Sequence, residues 1–271
     1  MSVLQPKKPA WLFASAAAAL LALAAFLLLV QRRPWDPARA GGLVFGIAAS
    51  LLYTIEILYP LRRRLLGFPF GNAQRWIQFH IWGGCLGFWF VMIHEGFRWP
   101  SGTMGWLLLV LSVWATLSGL GGVWLQKWIP AALSTGLQVE ALFDRIPELL
   151  NRLRDEADGL AKGSSEMLER FYGESVRPAL AGVSPSWSYL VNVRAGRDDR
   201  LAPFVRLAPY LAEEEKTRLE DLRTLYTEKL ELDAQYTLQR ILRLWIYLHV
   251  PPSALLYGLM LFHIGTSLSY Q

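Results

Sequence analysis

The chain has 271 residues, of which 53% are hydrophobic and only 18% charged, with a mean hydropathy of +0.26 and a formal net charge of +5. This excludes an ordinary soluble domain, because the apolar residues are gathered into long blocks that are almost free of charge. The net charge also conceals a division: residues 130–239 hold 14 basic and 19 acidic residues against 13 and 3 in the rest, where the basic ones sit at block ends, a membrane-anchoring pattern that gives nucleic-acid binding no support.

Residues 9–31 carry no charge and follow Lys7 and Lys8. This apolar core is too long for a typical signal peptide and runs into Val30, Gln31, Arg32 and Arg33 without a small-x-small cleavage pattern, so an anchor helix is expected. Residues 41–61 contain Glu56 as their one charge, and 76–94, 99–126 and 244–271 contain none apart from histidine. Each block meets the roughly 20-residue requirement of a spanning helix, the third narrowly. The expectation is an all-α integral membrane bundle of five transmembrane helices with a helical extramembrane insert. Helices one to four fall in 1–129, the insert in 130–240 and the fifth helix in 241–271.

Within the insert, residues 137–175 have helical spacing, with Val139, Leu142, Phe143, Ile146, Leu149, Leu150 and Leu153 on one stripe and Pro147 as a kink or restart. Gly182, Pro185, Gly196 and Pro203 predict a loop over 180–204. Residues 211–239 again read as helix, with Leu219, Leu222, Leu225, Leu230 and Leu232 among charges. The simplest expectation is a helical hairpin leading into the fifth helix, serving as a solvated cap or as a docking surface for a redox partner.

Five crossings put the N-terminus, the second connection and the insert on one side. That side carries Lys7, Lys8, Arg62, Arg63, Arg64, Arg75, Lys127, Arg240 and Arg243, against Arg32, Arg33, Arg39 and Arg98 on the other. The positive-inside rule places the richer side in the cytoplasm. Trp11, Trp35, Trp76, Trp99, Trp124, Trp128 and Trp245 lie near helix ends, as an interfacial aromatic belt requires.

The four histidines form two matched pairs, His80 with His94 in the third block and His249 with His263 in the fifth, each pair fourteen positions apart. Fourteen residues advance a helix by roughly 21 Å and return to within about 40° of the same face, so each helix offers one imidazole toward either membrane surface. One crossing separates the two helices, so they run parallel and His80 shares a depth with His249, His94 with His263. An intramembrane histidine has a partner or a function; a lone one is most simply a helix-to-helix hydrogen bond. Four at equal spacing predict two bis-histidine sites, a ligand set for two b-type haems. A zinc or transport site is the competing expectation, but transporter sites converge near the membrane centre and these pairs are spread.

The single cysteine, Cys85, leaves no disulfide framework, CxxC motif or CxxCH attachment, so haem would be held by coordination and packing alone. No GxGxxG or Walker loop is visible, so a nicotinamide or flavin would be carried by another protein. Gly83, Gly84 and Gly87 share the face of His80, where a flat macrocycle needs close backbone approach; helix packing uses the same glycines. Arg75, Arg98 and Arg243 are placed to meet haem propionates, or to snorkel to the interface. Pro251 and Pro252 are expected to begin a kink that aims His249. Glu56 and Glu95 are candidates for proton or cation handling, Glu56 alternatively pairing with the Arg62–Arg64 cluster. Trp82, Trp89 and Trp114 read as packing residues.

HIWGGCLGFWFVMIH in the third helix and HVPPSALLYGLMLFH in the fifth resemble the ferric-reductase-like transmembrane cytochromes b, which include NADPH oxidases and bacterial dihaem relatives. The resemblance covers about 150 membrane residues and rests on spacing. It implies that His80, His94, His249 and His263 ligate two haems and that the N-terminus is cytoplasmic, in a bacterial cytoplasmic membrane. The family commonly has a sixth helix and often a flavin and nicotinamide domain, and this chain stops eight residues after His263. The expectation is therefore an electron-transfer subunit that works with a redox partner protein or quinone and other membrane subunits, with a quinone or ferric-ion reductase as the alternative.

Overall fold

The computed structural model describes residues 10–62, 73–136 and 143–269; Lys7, Lys8, Arg63 and Arg64 of the charge asymmetry, and Val139 and Leu142 of the insert stripe, lie outside them. The described residues contain no strand, and the protein is an all-α helical bundle. Nine α-helices occur among them: α1 (Ala10–Val30), α2 (Ala40–Arg62), α3 (Ala73–His94), α4 (Thr103–Gly136), α5 (Ile146–Ala161), α6 (Glu166–Phe171), α7 (Arg177–Leu180), α8 (Arg197–Leu207) and α9 (Glu213–Ser269). The chain divides into two compact units, Met1–Lys127 with Trp245–Gln271, and Trp128–Leu244.

Helices α1 to α4 and α9 are each long and apolar enough to cross a bilayer, which makes this an integral membrane protein. Their outward faces carry exposed Phe13, Leu20, Leu21, Val44, Leu51, Val110, Leu117, Leu255 and Phe262. Such surface is stable only against lipid tails. Helix α3 packs closely on α2 and more lightly on α1. Phe26, Trp35, Phe45 and Ile93 form a shared core there with Ala22. The chain leaves α3 through two consecutive left-handed residues, Gly96 and Phe97. That conformation is costly for phenylalanine. Its ring lies 5.5 Å from both Phe26 and Trp89, contacts that offset the cost.

Three helix boundaries depart from the sequence reading, one of them the end of α4, which continues through Pro130 to Gly136, past the fourth block's close at 126 and into the range expected for the insert. Helix α4 starts at Thr103 rather than 99, because Pro100 and Gly102, the latter at φ +86°, hold the preceding backbone out of a helix. The fifth apolar block is the end of α9, which begins at Glu213.

The second unit has its own apolar core. Ile146, Leu150, Leu153, Ala157 and Ala161 line one face of α5 and meet Leu168, Tyr172, Val176, Leu180, Leu201, Phe204, Leu219, Leu222 and Leu232. Pro147 stands in the first turn of α5, so it starts the helix instead of kinking it. The expected long helix over 137–175 is broken after Ala161 by Gly163 at φ +73°, and Ser165 caps α6 by accepting from the Leu168 N–H. A π-helical turn, Tyr172–Val176, follows. Helix α8 begins within the predicted loop over 180–204, opening after left-handed Gly196, and includes Pro203. The insert is therefore a small multi-helix domain, not a plain hairpin.

The centre of that domain is charged. Lys229 and Asp233, one turn apart on α9, are 2% and 0% exposed and pair at 2.6 Å. Ser184 joins them, its N–H donating to Asp233 at 2.8 Å while its hydroxyl accepts from Lys229 at 3.2 Å. Arg200 of α8 stands 3.8 Å from the same carboxylate and donates to the Tyr189 hydroxyl. Burial pushes the Asp233 carboxyl up, and Lys229, the Ser184 N–H and Arg200 oppose it.

Candidate cofactor site of paired histidines

The four histidines lie in the first unit, His80 and His94 on α3, His249 and His263 on the end of α9. The His80 and His249 ring centroids are 6.2 Å apart with planes at 87°. Two imidazoles bonded through a ring nitrogen to one metal, each at about 2 Å, set their centroids about 6 Å apart. His263 lies within electrostatic reach of His94 and Glu95. Among the described residues α3 shows no backbone packing on α9 comparable with its packing on α2. The two histidine helices approach through their imidazoles.

Two of the four rings have an identifiable tautomer, and a third has a charged neighbour at Nδ1. His94 Nδ1 lies 2.9 Å from the Gly42 carbonyl, which can only accept, so Nδ1 carries the hydrogen. Ser118 Oγ donates to the Trp114 carbonyl at 2.6 Å, and its remaining capacity is to accept from His249 Nδ1 at 2.8 Å. His80 Nδ1 pairs with the Glu56 carboxylate, which is 10% exposed. His94 and His249 thus place their hydrogens on Nδ1 and keep the Nε2 lone pair for a ligand, and a carboxylate beside His80 Nδ1 favours the same tautomer there. Metal-bound histidines are held in this way, with the second nitrogen donating to a carboxylate, carbonyl or other acceptor.

Glycines on neighbouring helices admit these rings. A Cβ at Gly46 of α2 would fall 2.9 Å from His94 Cε1 and Nδ1, and one at Gly119 of α4 would fall 3.3 Å from His249 Cε1. The expected glycine face of α3 divides. A Cβ at Gly83 would meet Glu56 Oε1 at 2.5 Å and one at Gly87 would meet Tyr53 at 3.0 Å, so both face α2, whereas Gly84 opens onto free space. Small residues here serve helix packing at two positions and leave one clear.

Two of the tryptophans expected in an interfacial belt also contact the site. Trp35 is buried and donates to the His94 carbonyl at 3.0 Å. Trp245 stacks on His249 at 5.5 Å, lies against Gly122 and donates to the Ser118 carbonyl at 2.7 Å. Tyr59 stacks on His80 at 4.9 Å. Helix α9 runs through Pro251 and Pro252. Pro252 has no N–H for the Leu248 carbonyl, and Trp114 Nε1 supplies one at 2.7 Å. Trp89 ties α3 to the Ala19 carbonyl of α1, and Trp82 bonds Gln78 on its own helix.

Of the arginines, Arg75 and Arg98 are exposed. Arg98 follows the left-handed turn and has left the helical register of His94. Arg243 belongs to the second unit, where it pairs with Asp144 at 3.0 Å and covers the Phe143 ring at 3.9 Å. Glu56 pairs with His80, whereas the side chains of the Arg62–Arg64 cluster, to which one expectation assigned it, lie outside the described residues. Sequence reading missed Gly42, Gly46, Ser118 and Gly119. Spacing within one helix carries no record of them; only Trp245, four residues before His249, was legible.

No protein-family model matches the sequence, no curated protein is significantly similar to it, and no solved structure matches the fold.

Proposed function

We propose that this protein is a dihaem b-type cytochrome subunit that carries electrons across a membrane, between a redox partner protein or quinone on one side and an acceptor on the other. His80 and His249 hold one haem, His94 and His263 the second. Bound haem supplies a reversible one-electron couple, and an iron with two imidazole ligands is saturated, which suits relay rather than oxygen binding. The observation that carries the reading is the 6.2 Å approach of the His80 and His249 rings, with both Nδ1 atoms already engaged.

The ligand count supports a macrocycle over a bare ion. Structural zinc takes four protein ligands, whereas a porphyrin brings four nitrogens and asks the protein for two. The protein's own task is to fix the rings through Glu56, Ser118 and Gly42, to leave Nε2 free and to surround the site with apolar side chains that exclude water. Arg75 and Arg98, both exposed, remain the propionate partners in this reading, and Gly84 the point of close approach. In this reading the charge asymmetry favours a cytoplasmic N-terminus and insert and a C-terminus outside, and the family resemblance favours a bacterial cytoplasmic membrane.

Reduced-minus-oxidised absorption spectra of the purified protein test the proposal. A b-type signal is expected; a folded preparation with complete metal analysis and no haem would sink it.

A further inference from the structure

Three histidines have a neighbouring group against Nδ1, but these neighbours differ in charge. His94 is held by the neutral Gly42 carbonyl and His249 by the neutral Ser118 hydroxyl. His80 is held by a carboxylate, Glu56, which is almost enclosed. We infer that Glu56 is a positioning residue that makes the His80–His249 site the stronger-donating and lower-potential of the two.

The inference rests on the haem reading above. A carboxylate that accepts Nδ1–H draws the hydrogen toward itself and moves electron density to Nε2, which strengthens the bond to the metal. The oxidised metal carries one more positive charge than the reduced form, so the stronger donor stabilises it preferentially and lowers the potential. The buried negative charge acts in the same direction, and low local dielectric amplifies it. A carbonyl or hydroxyl does the first of these more weakly and the second not at all.

The surroundings are built to hold that carboxylate. Helix α2 packs on α3 more closely than any other membrane helix does. Glu56 fits between them because position 83 is glycine: an added Cβ would fall 2.5 Å from Oε1. Tyr59, one turn beyond Glu56 on α2, stacks on His80 at 4.9 Å with planes 19° apart. Two residues of α2 therefore fix the His80 ring, one through its Nδ1 edge and one through its face. In contrast, α2 meets His94 at the Gly42 carbonyl and at Gly46. One helix thus supplies an anionic holder at one site and a neutral holder at the other.

Redox titration of the full-length protein, followed through its b-type absorption, tests this. The wild type should show two transitions, and His80→Ala should remove the lower one. In Glu56→Gln, which keeps size and removes charge, the lower transition should move up toward the other while the upper stays. Glu56→Asp, which keeps the charge, should retain the low potential. Glu56→Ala should in addition weaken haem retention at that site by roughly 10- to 100-fold. Unchanged potentials in folded, fully loaded Glu56→Gln would overturn the inference, as would a shift confined to the transition that survives in His80→Ala. A wild type without haem would instead end the functional reading of the preceding subsection.

Discussion

At the scale of single residues, the glycines that matter most stand on helices other than those carrying the histidines. Gly46 of α2 is the clearest case, because a methyl group there would sit 2.9 Å from the His94 ring. That ring cannot simply swing away, since its Nδ1 is tied to Gly42 and its own carbonyl to Trp35. Gly46→Ala should therefore cost one of the two haems, with retention at that site roughly 10- to 100-fold weaker, while helix content is unchanged by circular dichroism. Two haems bound as in wild type would show that the ring relaxes freely. The histidines were legible in sequence because their fourteen-residue spacing is a property of one helix. Gly46, Gly119 and Ser118 were not, because their meaning depends on which helix lies opposite. Trp35 and Trp245 looked interfacial by position, yet their N–H groups point at the His94 and Ser118 carbonyls.

At the scale of elements, the five apolar blocks predicted five spanning helices because length and the absence of charge are sufficient signals. The insert was harder. Its turns depend on left-handed Gly163 and Gly196, and Pro203 lies inside a helix where a loop was expected. The all-round burial of α9 over 229–235 also runs against its charged sequence, which periodicity alone assigns to solvent. Lys229 and Asp233 explain the exception, since each neutralises the other within a core that also satisfies Ser184. Asp233→Ala leaves a buried ammonium without a counter-charge and should destabilise the insert by about 3–5 kcal/mol, read by thermal unfolding of the full-length protein or hydrogen exchange of α8 and α9. Joint replacement of Lys229 by Met and Asp233 by Leu should recover most of that loss. A single variant as stable as wild type would mean that water reaches Lys229.

At the scale of the whole molecule, the chain is an integral membrane protein whose apolar outer surface requires lipid, joined to a helical insert with a core of its own. The approach of His80 and His249 is the observation behind the proposal of relay through bound cofactors. That approach was legible in the histidine spacing; the surroundings of the rings needed three dimensions, because they combine Glu56 of α2 and Ser118 of α4 with helices α3 and α9. The most direct test is the number of haems bound per chain in the wild type and in four single histidine variants. The account predicts two in the wild type and one in each of His80→Ala, His249→Ala, His94→Ala and His263→Ala, with the first two variants sharing one spectrum and the last two another. No haem in the wild type, or one haem lost equally in all four variants, would contradict it.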